Sequence, residues 1–211
     1  MPAKCPKCHS TLEDDSICCA DYRHTWKCAS CGKLTTGFVV PYGRCYLCGG
    51  RLEVVEGYRS PDPEKTRIVE EAVQFELDMY SFYRLAKDRT SNEKLRELLE
   101  DMYLKEKEHI AELESKYHVH LDAELLDPSR EAGQGLTGWL FEGIDFEDAE
   151  GHVLGVFDKA IEMERRTRDR FLARAQSLPP GPQKELYREL AAEEEDHVAM
   201  LETERAIYAG E

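Results

Sequence analysis

From residue 63 onward, apolar side chains return every three or four positions. Ile68, Val69, Ala72, Phe75, Met79, Phe82, Tyr83 and Ala86 form one such stripe and predict a helix from about Pro63 to Arg89. Asp62 followed by Pro63 supplies an N-cap and a first helical position. A second run extends from about Ser91 to Tyr117, entered through a capping box of Thr90 and Glu93. Residues 118–145 lose the period, with Pro128 and glycines at 133, 135, 138 and 143, and read as one long connection. A third run spans about Phe146 to Ser177, "LPPGP" at 178–182 stops it, and a fourth continues to about Tyr208. The expected fold is mainly α: two antiparallel helix pairs, the long connection letting the second pair cross over a four-helix bundle.

Residues 1–58 follow no such period. All eight cysteines lie there, between Cys5 and Cys48. "YRSPDPEKTR" (58–67), with two prolines, marks the boundary between a cysteine-rich domain, 1–58, and a helical domain, 59–211. Charge divides similarly. Residues 1–59 carry a net charge of about +2, whereas the rest carries −17 of the total −15. So acidic a helical domain argues against nucleic-acid binding, which needs clustered Lys and Arg. Excess carboxylates suit cation binding or solubility instead. No apolar run approaches membrane-spanning length, and "MPAKCPKCHS" lacks the layout of a secretory signal, so a cytoplasmic protein is expected.

The helical part repeats itself. Residues 66–117 overlay 154–205 at an offset of 88 without a gap. Ala72 meets Ala160, Glu76 meets Glu164, Glu106 meets Glu194, His109 meets His197, and Leu113-Glu114 meets Leu201-Glu202. Matching apolar positions report only similar packing. The repeated acids and histidines need another cause. Positions i and i+3 share a helix side, so "EKEH" and "EEDH" each aim a carboxylate and an imidazole one way. Glu76 and Glu164 sit on apolar stripes, where an uncompensated acid is costly. Four facing acids would repel and hold protons; two divalent cations remove that conflict. A single Glu-x-x-His on an acidic helix is ordinarily surface chemistry. Two copies in one register, each 30 residues after an inward Glu, point to a dinuclear site of Glu76, Glu106, His109, Glu164, Glu194 and His197. Glu193 and Glu195 have the wrong spacing, and Glu108, Glu195 and Asp196 are expected in solvent. One Glu from each of two helices and Glu-x-x-His from each of the other two is the ligand pattern of ferritin-like di-iron and di-manganese proteins.

In this respect "FELDMYSFY", "EKEH", "EMERRTRDRF" and "EEDH" resemble the rubrerythrin branch of the ferritin-like superfamily, over about residues 63–209. The resemblance implies a ferritin-like bundle holding two irons, bridged by Glu76 and Glu164 and held terminally by Glu106/His109 and Glu194/His197. It also implies reduction of hydrogen peroxide or dioxygen in a homodimer or higher homo-oligomer, fed by an electron donor the sequence does not identify. Tyr83, seven residues past Glu76, matches the family's tyrosine near the metals and would donate a hydrogen bond or proton to the oxidant. Two positions depart from the family. Phe171 stands where the second phenol would be, and Thr167 where many members carry a further glutamate used when iron changes position.

In "WKCASCGKLTTGFVVPYGRCYLCGG" (26–50), Cys28-x-x-Cys31 and Cys45-x-x-Cys48 are separated by 13 residues. Two such turns complete a tetrahedron around one ion. With Gly32 and Gly49 after the pairs, the segment resembles the rubredoxin-like module of rubrerythrins, placed before the helices. Iron and zinc both accept four thiolates. Cys5 and Cys8 form a third knuckle and a candidate additional metal site, a second zinc, with Cys18, Cys19 or His24 as further ligands. A ribbon joining Cys5/Cys8 to Cys28/Cys31 is the alternative pairing. His9, His118, His120 and His152 are expected on the surface. Besides the oxidoreductase, two functions fit the sequence: ferritin-like iron oxidation, storage or delivery, and a zinc-knuckle interaction module on a degenerate bundle.

Overall fold

The computed structural model describes residues 11, 24–57, 63–117, 119, 121, 126, 134–148 and 151–210. They form a small three-stranded region followed by five helices: β1 (His24–Cys28), β2 (Leu34–Gly37), β3 (Leu52–Glu56), α1 (Pro63–Arg89), α2 (Glu93–Tyr117), α3 (Gln134–Leu140), α4 (Gly151–Ser177) and α5 (Pro182–Ala209). The chain is mainly helical. Cys5, Cys8, Cys18, Cys19, His9, His118, His120, Asp62 and Pro128 lie outside the described residues.

The sheet is antiparallel in the order β2-β1-β3. His24 pairs with Gly37 and Lys27 with Leu34 on one side. On the other, Cys28 pairs with Leu52 and Trp26 with Val54, with a bulge between Thr25 and Trp26. Each Cys-x-x-Cys turn closes on a glycine in the left-handed region: Gly32 at φ 73° donates to the Cys28 carbonyl, and Gly49 at φ 70° to that of Cys45. A Cβ at Gly32 would meet nothing within 4 Å, so the glycine there serves the dihedral rather than space.

The chain divides into two compact units, residues 1–81 with 102–140, and 82–101 with 141–211. In the first, the apolar face of α1 (Ile68, Val69, Ala72, Val73, Leu77) is buried together with Met102, Ile110 and Leu113 of α2. Tyr80 meets Tyr103 edge-on at 5.8 Å. In the second, α4 packs along α5, and Phe157, Ala160, Phe171, Tyr187, Leu190 and Leu201 are buried. Gly181 and Pro182 open α5, while Gly210, at φ 74°, closes it by donating to Ala206 and Ile207 carbonyls.

Four details differ from the sequence reading. The cap of α2 is Asn92, whose Oδ1 accepts from the Leu95 N–H at 3.0 Å. The Thr90 hydroxyl accepts from Asn92 N–H and meets His152 Nε2 at 2.8 Å, so the capping box with Glu93 does not form. His152 is buried rather than on the surface. Its Nδ1–H donates to the Asp148 carbonyl at 2.6 Å, which leaves Nε2 to accept from Thr90. The third long helix begins at Gly151, five residues later than its hydrophobic period suggested, and Asp148 Oδ1 accepts from the Gly151 N–H. Within the expected connection, residues 134–140 form α3.

Candidate metal centres

The two knuckles, held on β1 and in the turn before β3, bring Cys28, Cys31, Cys45 and Cys48 together with all four sulfurs within 4.8 Å of one another. Cys28 and Cys48 sulfurs lie 3.5 Å apart and Cys31 and Cys45 sulfurs 3.6 Å apart. A tetrahedron with metal–sulfur distances of about 2.3 Å has sulfur–sulfur edges of about 3.8 Å, close to these values. None of the four is in a disulfide. The Cys31 backbone N–H, 3.5 Å from the Cys28 sulfur, brings that thiol down to about 6. Burial pushes Cys45 up. At Cys48 the backbone N–H of Gly50 works downward, but the neighbouring sulfurs prevail and raise it to about 12. Thiolates this close repel one another, so a shared cation favours the charged set, and the donors fit a tetrathiolate iron or zinc.

The glutamates and histidines on the long helices form two sets, one in each unit. In the first, Glu76 of α1 and Glu106 of α2 are fully buried, and His109, one turn beyond Glu106, is 15% exposed. Its Nδ1 lies 3.1 Å from Glu76 Oε2 and 3.5 Å from Glu106 Oε2. Burial alone would lower the His109 pKa, but the hydrogen bonds and charges of Glu106 and Glu76 overcome it and lift the imidazole to about 11. Without metal, a proton holds this set together. Glu76 Oε1 is buried and has no hydrogen bond.

The second set repeats the first. Glu164 of α4 and Glu194 and His197 of α5 are buried. Their ligand atoms fall within 4.8 Å of one another. His197 Nδ1 lies 3.6 Å from Glu164 Oε1 and 3.5 Å from Glu194 Oε2. The Tyr83 hydroxyl donates to Glu164 Oε1. Burial would raise the Glu164 pKa, but the neighbouring Glu194 and His197 and the donating Tyr83 hydroxyl hold it below the usual carboxylate range. Glu164 Oε2, like its counterpart in the first set, is buried without a hydrogen bond.

Buried carboxylate oxygens without partners are costly in a metal-free protein. Mixed carboxylate and imidazole donors suit iron, manganese or zinc. Both sets therefore fit metal ions, on their own geometry. Glu193, Glu195, Asp196 and Glu108 point into solvent, with Glu195 held by Arg168 at 2.5 Å. Thr167 and Phe171 are buried, the Phe171 ring tilted against Tyr187 with centroids 5.6 Å apart. His24, weighed as an extra ligand for Cys5 and Cys8, pairs through Nε2 with Glu70 at 2.7 Å. Sequence reasoning missed this pair. It also missed Asp78, which receives the Tyr42 backbone N–H and the Gln74 amide; no pattern of residue types marks a backbone donor arriving from 36 positions away.

No family model, curated protein or solved structure matches the chain. Among the described residues, no helix is long and apolar enough to cross a membrane.

Proposed function

We propose that the chain is a rubrerythrin-like, non-haem di-iron oxidoreductase that reduces hydrogen peroxide or dioxygen. In this reading the two hairpins form a ferritin-like four-helix bundle. Glu76, Glu106 and His109 would hold one iron, and Glu164, Glu194 and His197 would hold another. The observation that carries it is the duplication: two buried Glu plus Glu-x-x-His sets at a constant offset of 88, each leaving one oxygen of its first glutamate without a hydrogen bond. When bound, the iron pair supplies two-electron reduction of a small oxidant, with carboxylates favouring the ferric state. The protein's own part is to orient donors and manage protons. The Tyr83 hydroxyl donates to Glu164 Oε1 and would supply a proton to a reacting group. His109 surrenders its proton to become a ligand. Cys28, Cys31, Cys45 and Cys48 would hold a redox-active iron that passes electrons on from a cytoplasmic donor, in a homodimer or larger homo-oligomer.

The test is elemental analysis of iron and zinc per chain, followed by reduction of the iron-loaded protein and addition of peroxide. Peroxide consumption with return to the ferric state is expected; iron that stays ferrous would sink the proposal. Thr167, which offers no carboxylate at a buried position on α4, favours a second reading in which iron is oxidised and passed on, as in ferritins. A closed shell by light scattering would move weight to that reading.

A further inference from the structure

The cysteine-rich strands lie in the same unit as Glu76, Glu106 and His109 and are fastened to α1 at two points. One is the His24–Glu70 pair, 2.7 Å long. The other is a turn at Pro41–Gly43, between the two knuckles, in which Tyr42 has φ 64°. Tyr42 is the one non-glycine with positive φ among the described residues. Such a conformation is unfavourable for a bulky residue and persists only where its surroundings enforce it. Here it turns the Tyr42 backbone N–H onto Asp78 Oδ1, an atom that also accepts from Gln74 Nε2 at 2.7 Å. The Tyr42 ring is buried and meets Trp139 of α3 edge-on at 6.0 Å.

Asp78 stands two residues beyond Glu76 on α1, and Tyr42 stands three before Cys45. The segment between Tyr42 and Cys45 has little slack. Arg44 donates from Nη1 to the Gly49 carbonyl at 3.0 Å, its backbone pairs with that of Arg51 in an isolated antiparallel bridge, and its guanidinium lies 4.5 Å over the Trp139 ring. A Cβ on Gly135 of α3 would come within 2.4 Å of the Cys48 carbonyl oxygen, so α3 abuts the second knuckle. Whatever fixes the Cys45–Cys48 knuckle therefore fixes the turn that grips α1 beside a buried glutamate.

We propose that Asp78 is a positioning residue that couples the two kinds of metal site in this unit. Metal at the four cysteines holds the Tyr42 turn, the turn holds Asp78, and Asp78 sets the register of α1 that points Glu76 toward Glu106 and His109. Filling the sulfur site then raises the affinity of the Glu76 set for metal, and the reverse holds by linkage. This rests on the reading that the Glu76 set binds metal.

Cobalt(II) titration of the metal-free full chain tests it, because sulfur-bound and oxygen/nitrogen-bound cobalt differ in their visible spectra. With the sulfur site filled, Asp78→Ala should weaken binding at the Glu76, Glu106 and His109 set by roughly tenfold, within the usual range for coupled sites. Asp78→Asn, which keeps an acceptor oxygen, should restore it. With the sulfur site disabled by Cys45→Ser, affinity should already be low and Asp78→Ala should lower it no further. Equal binding by the native chain and Asp78→Ala, or an equal loss in both backgrounds, would overturn the coupling. If Cys45→Ser does not fold, the reciprocal measurement decides: Asp78→Ala must weaken the sulfur site by the same factor when the carboxylate sites are filled. A native chain taking no cobalt outside the sulfur site would overturn the di-metal reading itself.

Discussion

At the scale of single residues, His109 is the clearest handle on the metal-free state. Its imidazole lies at about 11 against an ordinary 6.5, because Glu106 and Glu76 outweigh burial. A raised folded-state value stabilises most at low pH. The contribution is fully present below about 6.5, declines as pH rises above it, and is gone once pH passes about 11. Metal-free native protein should therefore lose thermal stability relative to His109→Gln between pH 7 and 10, with a constant difference below pH 6. A difference that does not change with pH would contradict the ion pair. Loading metal in weak buffer should release a proton from this histidine. At Glu164 the donor is Tyr83, and a hydrogen bond to a charged group contributes about 1.5–3 kcal/mol. Tyr83→Phe should lower the stability of the metal-free protein by that order in chemical denaturation.

Among the elements, capping separates what the sequence told from what it concealed. Asn92→Ala should cost about 1 kcal/mol, the usual loss for a removed cap, while Glu93→Ala should change stability little; urea unfolding of both variants would reverse the assignment if Glu93 proved the costlier. Thr90 looked the better cap because its residue type and spacing to Glu93 are right. His152 instead takes up its hydroxyl from 62 positions away, and local pattern cannot register such a competitor. The long helices were legible because their apolar positions keep a three- and four-residue period, and the repeat made the six glutamate and histidine positions legible with them. α3 was not: seven residues containing two glycines, directly after Gly133, carry too little periodicity to count. The grip of the Tyr42 turn on α1 was equally hidden, since it uses a main-chain donor and a dihedral that tyrosine seldom adopts.

For the whole molecule, a net charge of −15 and four fully buried glutamates predict that cation binding shifts the folding equilibrium. A metal present at a hundred times its dissociation constant adds about 2.7 kcal/mol of stability by mass action. The sulfur site and the carboxylate sites draw on different donors, so their contributions can be separated. Glu164→Ala removes a buried carboxylate on α4 while leaving all four cysteines in place. The variant should lose metal from the carboxylate–histidine sites by elemental analysis and keep one ion per chain on sulfur. A chelator that strips the native protein in two steps should strip the variant in one, with a correspondingly smaller drop in unfolding temperature. A coupling of tenfold between sites would shift these affinities without emptying a thiolate site that binds tightly. Loss of both metals together in Glu164→Ala would instead mean that the cysteine module cannot hold its ion unless the helices are loaded first.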